Sequence, residues 1–81
     1  MSMSMIYTFE GKKGLCHDVV GFVQRVKSLI DTDNPPMTLF LNETDLGCLP
    51  IEQQEAIKNE TGIQTVVADP KLNRDQFRFR M

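Results

Sequence analysis

Hydrophobic positions in this chain follow two rhythms that alternate along its length. In "MIYTFEG", Ile6 and Thr8 fall on one side of a two-residue period and Tyr7 and Phe9 on the other, predicting a first strand over residues 5–9 that "GKKG" breaks. Over residues 15–30 the period lengthens. Leu15, Val19, Phe22, Val23, Val26, Leu29 and Ile30 recur at three- and four-residue steps, with Gln24, Arg25, Lys27 and Ser28 between them. The pattern is that of one amphipathic helix with a single buried stripe, and Asp18 in its first turn complements the positive helix end. "DTDNPP" ends it, because the residue before a proline avoids helical angles and proline has no N–H to donate.

The second half repeats the alternation. "MTLFLN" places Met37, Leu39 and Leu41 on one side and Phe40 on the other, so this strand is expected to be covered on both faces and to lie at the sheet centre. Pro50 suits a first helical turn, Ile51, Ala56 and Ile57 supply a thin apolar stripe, and Gly62 suits a left-handed cap, predicting a helix over roughly residues 50–61. "IQTVVADP" reads as a strand closed by Pro70, and "KLNRD" as a turn. "QFRFRM" then sets Phe77, Phe79 and Met81 against Arg78 and Arg80. Helices between strands imply parallel neighbours, and the short last connection implies an antiparallel hairpin. The expectation is a single small α/β (α+β) domain, residues 1–81, in the order β-α-β-α-β-β, with two helices on a mixed sheet of three or four strands.

Composition narrows the function classes. A chain of 81 residues with 41% hydrophobic and 25% charged side chains can build one modest core and is neither disordered nor membrane-like. A net charge of -2 offers no general attraction to nucleic acid or anionic lipid, no stretch approaches membrane-spanning length, and "MSMSMIYTF" lacks the basic leader and apolar run of a secretory signal. A cytoplasmic address follows, with Cys16 and Cys48 as reduced thiols. The two "NET" sequons, at residues 42–44 and 59–61, then serve helix ends rather than glycosylation.

The candidate chemistry lies in four places. Cys16, His17 and Asp18 are the residue types of a thiol-hydrolase triad, but consecutive helical residues project about 100° apart, whereas a triad needs its members converging within hydrogen-bond reach. Cys16, His17 and Cys48, with Asp45 as a fourth ligand, lack the paired spacing of a zinc site, so neither a metal nor a cofactor is expected. The Gly11–Gly14 loop, with Lys12, Lys13 and Gly14 ahead of a helix, is the candidate anion or phosphate site, although it lacks the spacing of a phosphate loop. Lys71, Arg74, Arg78 and Arg80 form a basic C-terminal segment. Phe77 and Phe79 could stack on bases only from the opposite side of the same strand, which weighs against nucleic acid.

Three stretches, "MTLFLNETDL", "GIQTVVADPKL" and "FRFR", resemble the C-terminal domain of the peripheral-stalk (stator) proteins that regulate the ATPases of flagellar and type III secretion systems. In that family an amphipathic helix precedes an apolar strand, an acidic x-x-D-L opens the next helix, and a G-I-x-x-V-x-D-P-x-L strand leads into a short final strand. The similarity spans residues 19–81 and implies an accessory protein bound to a larger assembly. The residues themselves favour the same class: with one histidine and no convergent polar set, a non-catalytic interaction module fits better than the alternatives, an anion or nucleic-acid binder and a cysteine-dependent enzyme. The first and last strands are the expected sheet edges, open to a partner's strand or to a second copy. Arg78, Arg80, Arg74 and Lys71 would select an acidic partner, and charge reversal at Arg78 and Arg80 is expected to spare the fold.

Overall fold

The computed structural model describes residues 5–81. β1 (Tyr7–Thr8) leads through a single 3-10 turn at Leu15–His17 into α1 (Val19–Leu29). Then follow β2 (Thr38–Leu41), α2 (Glu43–Gly47), α3 (Ile51–Thr61), β3 (Thr65–Ala68) and β4 (Gln76–Arg80). The strands form one mixed sheet, which is the α+β class expected from the hydrophobic pattern.

The first helix is shorter than its apolar stripe. Asp18, with φ at -145°, stands outside the helix as its N-cap and accepts the Gly21 N–H at 3.0 Å, so Leu15, Cys16 and His17 wind separately ahead of it. The cap also explains Gly21, where a Cβ would overlap the Asp18 carboxylate. The stripe itself holds: Leu15, Phe22, Val23 and Val26 are buried, and Val19, Leu29 and Ile30 pack at its margin.

In α3 the buried side differs from the expected stripe. Ile57 is fully buried, whereas Ile51 is 69% exposed and Ala56 lies in solvent. Ile51 is about 240° around the helix from Ile57, on another face. The inward positions are Gln54, Ile57, Lys58 and Thr61, spaced three, four and seven apart. Thr61 Oγ1 donates to the Ile57 carbonyl and accepts the Ile63 N–H, and Gly62 closes the helix at φ 81°. The hydrophobic pattern did not predict the five-residue α2, although the stalk-domain resemblance implied a helix opening at its x-x-D-L; it forms because Asn42 Oδ1 accepts the N–H groups of Thr44 and Asp45. Asn42 and Thr61 thus give both "NET" words their expected helix-end role.

The strand order is β1-β4-β2-β3. β2 lies inside the sheet as expected, parallel to β3 with Leu39 opposite Val66. β4 departs from expectation: it pairs antiparallel with β2, Leu41 opposite Phe77, and with β1, Tyr7 opposite Phe77. The last strand is therefore interior, and the edges are β1 and β3. The connection over residues 69–75 passes the end of β2, a step of ~10 Å that it spans easily. Phe77 points to the helix-covered face and is fully buried there, as is its neighbour Leu41.

α1 and α3 pack on the face that carries Leu39, Leu41, Val66 and Phe77, all in one core with Phe22 and Ile57. The other face, with Thr38, Phe40, Thr65, Val67, Arg78 and Arg80, bears no helix among the described residues, and Phe40 is only half-buried. The expectation that β2 is covered on both faces is corrected accordingly: two helices suffice for one face of this sheet, and Arg78 lies over the Phe40 ring on the other, 3.9 Å from its centroid.

Candidate functional site

β1, β2 and β3 share one direction, so the loops after them gather at one end of the sheet, the end where open α/β sheets usually place their sites. Here Cys16, from the loop after β1, and Cys48, at the end of α2, form a disulfide with a Cα–Cα distance of 6.0 Å. The expectation of two reduced thiols is corrected. Their separation of 32 residues hid a pairing that the fold makes by stacking the two loops, and the argument from cysteine usage to a cytoplasmic address goes with it. Among the described residues no helix is long and apolar enough to cross a membrane.

Beside the disulfide lies Asp45, fully buried. Its Oδ1 accepts Arg74 Nε at 2.6 Å and its Oδ2 accepts the Asp75 N–H at 2.6 Å. Asp75 adopts a left-handed conformation, φ 66°, which aspartate tolerates better than most residues. Three bonds hold it there. Besides the bond to Asp45, its carbonyl accepts the Phe9 N–H at 2.8 Å and its carboxylate accepts the Leu15 N–H at 2.9 Å. Asn42 Nδ2 donates to the Leu72 carbonyl at 2.8 Å, tying the same loops once more. This network joins the loop after β1, the start of α2 and the connection into β4.

The candidate catalytic trio does not converge. Cys16 is bonded to Cys48, His17 is exposed, and Asp18 is turned to Gly21. Among the described residues no three His, Cys, Asp or Glu side chains are placed to share a metal ion. In the Gly11–Gly14 loop, Lys12 and Lys13 are exposed and Gly14 takes φ 78°, but the Leu15 N–H that follows is already held by the internal Asp75 carboxylate.

The four basic residues do not form one stripe. Arg74 is engaged by Asp45, and Arg78 Nε donates to Asp69 Oδ2 at 2.8 Å while its guanidinium lies on Phe40. Lys71 is exposed in the turn after β3, and Arg80 is exposed on the uncovered sheet face. The expectation that charge reversal at Arg78 spares the fold is corrected, because a glutamate there would face Asp69. The Asp69 carboxyl is held below its ordinary value of 3.8, first by the Lys71 backbone N–H and then by the Arg78 guanidinium. A depressed folded-state value stabilises the fold at pH above the unfolded value of about 3.9, and the contribution fades as pH falls through the folded value. The urea midpoint should therefore drop on acidification below about pH 4, and Asp69→Asn should flatten that drop.

Asp75 and the disulfide escaped the sequence reading, and Asp45, weighed there only as a fourth metal ligand with Cys16, His17 and Cys48, serves instead as the acceptor that joins the loops. An even cysteine count was the one available signal, since both cysteines fall in loops that follow strands of common direction. No family model, curated protein or solved structure matches the chain.

Proposed function

We propose that the protein is a non-catalytic interaction module that docks on a protein partner by strand addition at the outer edge of β3. The supporting observation is the character of that edge. The Thr65 N–H donates to the Met37 carbonyl at 3.1 Å and the Asp69 N–H to the Leu41 carbonyl at 2.8 Å, so residues 65, 67 and 69 direct their backbone groups toward β2. Strand alternation then turns those of Val66 and Ala68 outward, where, among the described residues, the sheet has no further strand. Edges that avoid pairing carry charges, prolines or bulges, and "TVVA" contains no charge and no proline. β1, the other edge, spans only Tyr7–Thr8 and offers little to pair with.

The partner segment is extended and rich in apolar side chains, to lie beside Val67 and Ala68. Lys71, exposed just past the strand, favours an acidic residue at that end of it. The stalk-domain resemblance would make this partner a secretion-type ATPase complex.

Ala68→Pro tests the reading. It removes an N–H that faces outward, so pairing with β2 survives while a docking strand loses a donor. A partner isolated with the native protein should bind the variant at least ~10-fold more weakly, a loss of about 1.4 kcal/mol, with circular dichroism showing it folded. Equal affinity would remove the β3 edge from the interface. Self-association of the purified chain that Ala68→Pro abolishes would assign the edge to a second copy instead.

A further inference from the structure

We propose that the Cys16–Cys48 disulfide is a thiol-exchange site, opened by attack of a small thiolate of the glutathione class on the sulfur of Cys48. Three observations at the strand ends carry this.

The two sulfurs differ in access. Cys48 ends the short α2 and is exposed, while Cys16 is half-buried beneath Arg74. An incoming thiolate therefore meets Cys48 first, and the choice of sulfur attacked sets the product.

The leaving sulfur has a stabilising neighbour. Arg74 Nη2 lies 3.6 Å from Cys16 Sγ, so a thiolate formed on Cys16 meets a guanidinium. The Asp45 carboxylate is also close, with Oδ1 3.4 Å from the same sulfur, but it already accepts Arg74 Nε and its charge is offset by that pair. A leaving thiolate stabilised in this way departs faster.

The reduced state also finds its hydrogen-bond partners in place. A Cys16 thiol can donate to Asp45 Oδ1, and a Cys48 thiol can donate to the Asp45 carbonyl oxygen 3.1 Å from its sulfur. Neither thiol is left without an acceptor when the bond opens, and Asp45 keeps its bonds to Arg74 and Asp75.

The step balances as follows. The external thiolate forms a bond to Cys48 Sγ, the Cys48–Cys16 bond breaks, and its electron pair leaves on Cys16 Sγ. A second thiolate then attacks the external sulfur of the mixed disulfide, releasing the external disulfide and a Cys48 thiolate, and both protein thiolates take protons from water. Two external thiols are oxidised to one disulfide and one protein disulfide is reduced to two thiols; the oxidised external disulfide reverses the sequence.

The test uses the oxidised, folded protein with reduced glutathione and no denaturant, quenched at intervals with iodoacetamide and read by peptide mass spectrometry. In the trapped intermediate glutathione should sit on Cys48 and the alkyl group on Cys16, by about tenfold over the reverse, and oxidised glutathione should restore the bridge. Arg74→Met should slow opening by about tenfold and Arg74→Lys by less, since lysine keeps the charge. Glutathione mainly on Cys16, an even split, or a bridge that opens only in urea would overturn the proposal. An Arg74→Met variant that is folded and opens at the native rate would overturn the role of the guanidinium.

Discussion

Phe77→Ala should lower the stability of the folded state by about 3 to 5 kcal/mol in urea unfolding, the range expected when a fully buried phenylalanine is cut to alanine. Phe77 is 0% exposed at the centre of an aromatic group: Tyr7 stacks on it at 5.6 Å, and Phe22 and Phe79 meet it edge-on at 5.0 and 5.8 Å. The ring joins β1, β4 and α1, and its strand neighbour Leu41 is also fully buried. Little can move in to fill the space, because Tyr7 is held by the β1 pairing and Phe22 by its helix. A domain of this size has a total stability of roughly 4 to 12 kcal/mol, so the variant could be largely unfolded at room temperature. A loss below about 1.5 kcal/mol would mean that the ring is not the keystone its packing indicates.

Removing the disulfide has the other large effect. Replacing both Cys16 and Cys48 by serine should cost about 3 to 4 kcal/mol by the chain-entropy relation for a closed loop of this length, the two residues being 32 apart. Most of that arises in the unfolded chain, which regains freedom the bridge denied it. The folded junction changes little, because Asp45 offers acceptors to hydroxyls or thiols at both positions. Wild-type protein unfolded in the presence of dithiothreitol should accordingly match the double serine variant in urea midpoint. A double variant within about 0.5 kcal/mol of the oxidised protein would show that the bridge does not restrict the unfolded ensemble.

Local signals carried the elements well where one force dominated. The α1 stripe was legible because three- and four-residue recurrence of Phe22, Val23 and Val26 admits only one buried side. Gly62 was legible because its positive φ at the end of α3 is a conformation that favours glycine. Ile51 misled because an apolar side chain says nothing about which way its helix face will turn. In α3 the inward side includes Gln54, whose Nε2 donates to the Leu49 carbonyl, and Lys58, whose ammonium reaches Glu55.

The loop junction was harder for a different reason. Asp45 comes from a segment about thirty positions from Arg74 and Asp75, and none of the three belongs to a periodic pattern, so nothing local shows that they bond to one another. Their meaning lies in the bonds among them.

By itself, then, the sequence determined the class of fold, the identity of the main helix, the interior position of β2 and the burial of Phe77, because periodicity and local backbone preference act over a few residues. Tertiary structure alone decided that β4 enters between β1 and β2, that one sheet face stays uncovered, that β3 is an edge and that Cys16 meets Cys48. Those outcomes depend on which distant segments pack together, and that choice is made by the shared burial of the whole core.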